Sequence, residues 1–425
     1  MAANQGRARV TADHSAAPAS VDRSQASQET LTALFLRFLK LGAMAWGGPV
    51  AQIAMLRRML VDDERWVSSE HFNRILALYQ VLPGPEAHEM CVHFGTLARG
   101  RIGGVLAGVG FMLPGFVLMF LLSWVYFHSG LDLHGDLSLL FSAVQAAVIA
   151  LIVRAVHRIG SHVLLDPWLW AIGAGSLAGQ LSGVHFAVLL AAGGLIYSLR
   201  QSSRWLVQAM LSLCLAGLAG SFLVHGALDS SPLVDAATAL EPVSTSVEQV
   251  SLATLFWSGL KAGLLTFGGA YTVIPFLQRD AVSQGAWMSN AQFMDGIALS
   301  GLLPAPLIIF STFVGFAGGG PMGAVILTAA IFLPAFAFPL LAHGPLDRLL
   351  HEPRIREFLD GLTAAVVGLI AGTVVVLLVT AVRSTYTAAV FAGALALLFW
   401  SKHKLAVPLV VAGAATVGAI AIAIR

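Results

Sequence analysis

Along the chain, long apolar runs alternate with short polar stretches. The runs fall at 31–56, 75–97, 104–127, 137–157, 163–182, 184–199 and 205–225. A polar stretch at 226–250 follows, and further runs fall at 251–276, 293–316, 321–343, 358–381, 385–401 and 405–424. Most approach the roughly 20 residues that a helix needs to cross a bilayer. Hydrocarbon offers no water to bond the backbone, so such runs cross as helices. The pattern predicts an all-α polytopic membrane protein with about 13 transmembrane segments, some of them re-entrant or broken.

The runs repeat. Shifting the chain by 221 lays residues 40–85 on 261–306 with 16 of 46 positions identical and no gap. The matches include Lys40/Lys261, Gly42/Gly263, Gly47/Gly268, Gly48/Gly269, Arg58/Arg279, Trp66/Trp287, Phe72/Phe293, Pro83/Pro304 and Pro85/Pro306. Shared apolar bias aligns Leu and Ala, but not Gly, Pro, Arg and Trp. The order continues with Pro114/Pro334 and with Ala146-Ala147-Val148 against Ala364-Ala365-Val366. Four parts are expected: a tail at 1–30, a first repeat at 31–204, a connecting helix with an acidic outer loop at 205–250, and a second repeat at 251–425.

Lys and Arg in short loops set orientation. Arg99 and Arg101, Arg154 and Arg158, and Arg200 and Arg204 fall on alternate loops, whereas the loop with Asp132 and Asp136 has no Lys or Arg. The linker 226–250 holds Asp229, Asp235, Glu241 and Glu248 and again no Lys or Arg. The N-terminus is therefore expected inside and the acidic linker outside. Seven crossings separate the starts of the two repeats, so the second is expected to be inverted, with the helix at 205–225 as the inverting connector. This architecture recurs in secondary transporters. Arg383 and the arginine-bearing loop at 57–74 run against the scheme.

Composition agrees with lipid as solvent. Hydrophobic residues make up 57% of the chain and charged ones 11%, and mean hydropathy is +0.81; a soluble domain carries about 25% charged residues. A net charge of +2 gives no basic field, which excludes nucleic-acid partners. The two cysteines, Cys91 and Cys214, lie far apart in apolar runs and form no disulfide or metal framework. The tail, with Arg7, Arg9 and Arg23 and no apolar core behind them, is expected to be disordered and cytoplasmic.

Four groups of residues could carry chemistry. Gly47-Gly48-Pro49 and its counterpart Gly268-Gly269-Ala270 weaken a helix, which can then present bare N–H groups to an anion; close packing through small residues is the alternative. Pro83-Gly84-Pro85 and Pro304-Ala305-Pro306 make a continuous helix unfavourable, and unwound backbone at membrane depth must be buried or line a cavity. Lys40 and Lys261 precede the Gly pairs by seven residues and could supply charge or snorkel to the interface. Arg58 and Arg279 follow and suit an anion vestibule or a solvated loop.

Glu86 and Glu89, with His93, share one helical face and suit proton coupling or a salt bridge; Glu86 is the first candidate. Half two has Leu307 at the Glu86 position. His88-Glu89 falls short of the zinc-protease helix, because position 92 is Val92. No catalytic dyad, phosphate motif or metal motif is found, so neither an enzyme nor a cofactor is expected.

These residues resemble the chromate ion transporter family in its long two-domain form. The resemblance rests on Phe38 through Pro49, the Arg57–Trp66 loop, Leu82-Pro83-Gly84-Pro85-Glu86 and Phe111 to Pro114. In half two it rests on Gly263 to Tyr271, Trp287 and Phe313-Val314-Gly315. It covers most of 31–381. It implies export of chromate, a tetrahedral dianion shaped like sulfate, by two homologous domains of opposite orientation in the bacterial inner membrane. The C-terminus is then expected on the periplasmic side, and a homodimer is an admissible assembly. Half two departs from the family by reading Leu303-Pro304-Ala305-Pro306 in place of Thr-Pro-Gly-Pro. His88 and Glu89 stand where the family commonly has Gln. Sulfate or another small anion is the rival substrate, and a passive channel or a lipid-modifying enzyme the rival class.

Overall fold

The apolar runs with closely paired prolines break there into separate helices, whereas Pro114, Pro334 and Pro339 stand inside long helices. The computed structural model describes residues 30–45, 48–80, 82–128, 138–200, 250–266, 270–341, 352–401 and 406–424. Apart from Thr30 and Val250, the expected tail, connecting helix and acidic loop lie outside these residues. Among the described residues every regular element is helical.

The first repeat contains α1 (Leu31–Ala43), α2 (Gly48–Arg57), α3 (Ser69–Tyr79), α4 (Glu86–His128), α5 (Ser138–Val163), α6 (Pro167–Leu181) and α7 (Phe186–Leu199). The second contains α8 (Leu252–Leu264), α9 (Ile274–Gln278), α10 (Asn290–Leu302), α11 (Ser311–Leu341), α12 (Pro353–Ala381), α13 (Thr385–Trp400) and α14 (Ala406–Ile424). By length and composition α4, α5, α11, α12 and α14 suffice to cross a membrane, and α7 and α13 are shorter apolar helices.

Four of the expected spans are discontinuous. The run 31–56 divides into α1 and α2, and 251–276 stops at Leu264 and resumes in a 3-10 turn at Ala270–Val273. The runs 75–97 and 293–316 break at their proline pairs, where the chain doubles back. Phe72 of α3 stacks on Phe94 of α4 with centroids 5.6 Å apart, and the Tyr79 hydroxyl lies 3.0 Å from His93 Nδ1. In the second hairpin Phe293 meets Phe310 edge-on at 5.5 Å, and Phe313 packs against Gly296.

Each hairpin then turns again. Arg99 (φ −138°) and Gly100 (φ 64°) interrupt α4, and Gly319 (φ −146°) and Gly320 (φ 59°) interrupt α11. The positive φ selects glycine at both places. The two arms on either side lie so close that a Cβ on Gly95 would stand 2.6 Å from the Gly103 carbonyl oxygen.

Local detail recurs with the sequence offset. Ser68 Oγ caps α3 by accepting from the His71 N–H at 3.1 Å, and Ser289 Oγ caps α10 by accepting from the Gln292 N–H at 3.2 Å. Such caps satisfy N–H groups that the first helical turn leaves bare. π-helical turns occupy Arg58–Asp63 and Arg279–Gln284, and the non-glycine positive-φ residues Arg65 (54°) and Ala286 (50°) follow them.

Beyond the hairpins the halves exchange helices. α12 of the second half packs on α6 and α7 of the first, while α5 of the first packs on α13 and α14 of the second. α5 and α12, which carry the matching Ala-Ala-Val triplets, also touch, as do α4 and α11. Reciprocal pairing of this kind is what a two-fold relation produces. One apolar core cluster draws residues from both halves, and a second lies under α1 to α4.

Candidate anion site at the broken segments

The proline tips and the breaks after α1 and α8 are each followed by the start of a helical segment. α3 ends at Tyr79, and Leu82 to Pro85 run without helical structure into the start of α4 at Glu86. Gly84 has φ 152°, which favours glycine, and its N–H donates to the Thr266 carbonyl at 2.7 Å. Thr266 is fully buried just past the end of α8. The first tip thus touches the break in the other half. In the second tip the Ala305 N–H donates to Leu303 within its own loop at 2.9 Å, and Ala305 packs against Gly115 of α4. The 3-10 turns Ala270–Val273 and Leu307–Phe310 lie against each other.

Gly47, Gly268 and Gly269 lie outside the described residues; Gly48 begins α2. α2, α4 and the two 3-10 turns all start at these breaks. The bare first N–H groups of α2 and α4 and the positive ends of their dipoles suit an anion. Pro83 and Pro304 are partly buried, and Pro85 and Pro306 are buried.

The two lysines differ. Lys40 is exposed in the last turn of α1. Lys261 Nζ lies 2.7 Å from Asp280 Oδ2 and 2.8 Å from Oδ1, and Ser258 Oγ donates to the same carboxylate at 2.7 Å. The position matching Asp280 in half one is Met59. Arg58 is exposed with Asp63 3.9 Å away. Arg279 is less exposed and stacks 5.2 Å from the Phe186 ring, which Lys261 approaches to 5.8 Å. His185, the cap of α7, is held below the usual histidine range by burial and then by Arg279 and Lys261, against Asp280.

The acidic face of α4 is not uniform. Glu86 is partly exposed, and Arg158 of α5 lies within range of its charge. Glu89 is wholly buried, and neither carboxylate oxygen has a hydrogen-bond partner among the described residues. Its side chain lies over Gly84, where a Cβ would stand 2.7 Å from Oε1. His93 is buried beside Tyr79. His88, between them, is enclosed by Phe332 and Phe336 at centroid distances of 4.9 and 4.7 Å.

Sequence reasoning passed over three acids. Asp295 of α10 is fully buried and accepts from Tyr126 Oη and from Gln145 Nε2, each at 2.7 Å. Glu64 pairs with Arg37, whose guanidinium stacks 5.2 Å from Trp66. Asp280 is the third. A carboxylate inside an apolar run is costly without partners, and Asp295 carried that signal.

The profile described as the chromate transporter family matches residues 32–220 and 253–419, so it matches twice. A chromate transport protein of Pseudomonas aeruginosa is 53% identical over 390 residues, covering 91% of each chain. One of Cupriavidus metallidurans is 32% identical over 396 residues, covering 92% of this chain and 93% of the relative. A probable chromate transport protein of Synechococcus elongatus is 30% identical over 347 residues, covering 80% and 82%. No solved structure matches. With both repeats matched, and relatives aligned over nearly their full length, this multi-pass chain of apolar helices is a transporter rather than an enzyme and belongs to the chromate transporter family.

Proposed function

We propose that the protein exports chromate across the bacterial inner membrane as a secondary transporter. The observation that carries this reading is the hydrogen bond from Gly84 to Thr266, which brings a broken segment of each half to one place. α4 starts beside that bond, and N–H groups at its start that are not already bonded hold a tetrahedral dianion without full neutralisation by side chains. The site comprises Gly48, Pro83, Gly84, Pro85, Pro304 and Pro306, and the sequence motifs extend it to Gly47, Gly268 and Gly269, which lie outside the described residues. Lys40, exposed in the last turn of α1, offers charge on the approach, Lys261 acts through its pair with Asp280, and Arg58 and Arg279 form vestibules.

The reciprocal helix exchange supports two repeats related by a two-fold axis. The arginine loops support an axis in the membrane plane, with the N-terminus cytoplasmic and the C-terminus periplasmic. With the interior negative, each charge is worth about 2.3 kcal/mol per 100 mV, so a departing dianion gains roughly twice that. Direction follows from this term.

Chromate flux into inverted vesicles tests the reading, with sulfate as competitor. Uptake that depends on the protein and on the potential supports it. Equal flux in empty vesicles overturns it, and sulfate flux without chromate flux reassigns the substrate.

A further inference from the structure

We propose that the Glu89 carboxyl group is a proton-linked gate of the oxyanion site: the dianion occupies the Pro83–Pro85 tip only while Glu89 carries a proton. This deepens the reading above and rests on it for the place of the anion.

Three observations carry the argument. First, Glu89 is wholly buried and both its oxygens lack a hydrogen-bond partner among the described residues. An ionised carboxylate withdrawn from water without a donor is strongly disfavoured. Second, the group lies against the tip itself, over Gly84, whose missing side chain leaves it room. Third, three backbone donors beside the carboxyl group are engaged elsewhere. The Gly84 N–H bonds to Thr266, and the His88 and Glu89 N–H groups bond to the Pro85 carbonyl at 2.8 and 3.1 Å.

Among the described residues no salt bridge to Glu89 is formed. On its own helix stand Glu86, His88 and His93, and from α3 come Tyr79, which meets His93, and His71, whose ring lies 6.5 Å from that of His93. From α11, Phe332 and Phe336 close on His88. From α5 the charge of Arg158 bears on Glu86. On α1, Arg37 pairs with Glu64 and Lys40 faces outward, and on α2, Gln52 Nε2 donates to the Ala45 carbonyl at 3.2 Å.

A carboxylate and a dianion at one tip repel each other, so protonation of the first and binding of the second favour each other. The linkage is reciprocal: anion binding draws a proton onto Glu89, and loss of that proton to water expels the anion. Only the carboxyl O–H bond breaks. The role that the sequence offered first to Glu86 passes to Glu89, because Glu86 is partly exposed and within range of a cation.

The test is chromate binding to the purified full-length protein in detergent, with proton uptake read by a pH indicator in weak buffer. Wild type, Glu86→Gln and Glu89→Gln are compared, so that the proton equilibrium of chromate itself cancels. Expected is about one proton fewer per bound dianion in Glu89→Gln, and loss of an affinity decline approaching tenfold per pH unit. Glu86→Gln retains both. Gly84→Ala, which crowds the carboxyl while leaving it able to titrate, retains the proton uptake and shifts the pH at which affinity falls. Wild-type proton uptake in Glu89→Gln, or its loss in Glu86→Gln alone, overturns the proposal. Should Glu89→Gln fail to elute as folded protein, an unshifted pH dependence in Gly84→Ala overturns it instead. Absence of chromate binding by wild type sinks the site reading itself and is distinguishable from both.

Discussion

The N–H of Gly84 and the carbonyl of Thr266 are 2.7 Å apart, and this bond ties the proline tip of the first half to the end of α8 in the second. The matching residue in the other tip, Ala305, bonds within its own loop. The repeats are thus alike in outline and unequal at the centre, where only the first tip carries a glycine and a buried carboxylate.

Gly84→Val combines a disfavoured φ with a collision against Glu89. Such strain costs of order 1–3 kcal/mol. Chromate flux is expected to fall at least tenfold while the protein still inserts and purifies, as measured in vesicles at matched protein content.

Lys40→Ala is expected to lower chromate flux more than Lys261→Ala, since Lys261 is already paired with Asp280. Flux of each variant, relative to wild type, decides the order. Equal losses would mean that the ion pair opens during transport.

Lys261 and Asp280 are coupled. The double variant Lys261→Ala/Asp280→Ala should be less destabilised than the sum of the single ones, with an interaction energy of about 0.5–3 kcal/mol. Melting in detergent for the four proteins gives that term directly.

Asp295→Ala removes the acceptor of Tyr126 and Gln145 between α4, α5 and α10. Each buried group left without a partner costs about 1–3 kcal/mol. A clear drop in melting temperature is expected, with Asp295→Asn intermediate.

Asp166 caps α6 and links it to α7. Burial raises its pKa, but the Tyr197 hydroxyl at 2.6 Å, the Leu169 and Trp168 N–H groups and Arg200 outweigh burial and leave it below the usual aspartate range. A depressed carboxylate stabilises the fold above its unfolded pKa of about 4, and that stability is lost as pH falls through the folded value. Melting temperature should therefore decline below about pH 4, and the decline should be smaller in Asp166→Asn.

Helical class, repeat and breaks were legible because they follow from local physics. Proline lacks an N–H donor wherever it stands, so Pro83, Pro85, Pro304 and Pro306 announced interrupted helices. The offset pairing of Ser68 with Ser289 and of Arg58 with Arg279 likewise appeared as similar caps and π-helical turns. The doubling back of α3 on α4 was not legible, because a break in a helix does not state the angle at which the chain leaves it.

The sequence by itself determined where helices form and stop, and that the chain belongs in lipid, since hydropathy and backbone chemistry act within a few residues. Tertiary structure alone decided that α5 and α12 cross into the opposite halves, that Lys261 pairs with Asp280 while Lys40 stands exposed, and that Glu89 rather than Glu86 is sealed against Gly84. Those outcomes depend on which surfaces meet across some two hundred residues of chain, and burial or charge pairing is a property of the meeting, not of either residue.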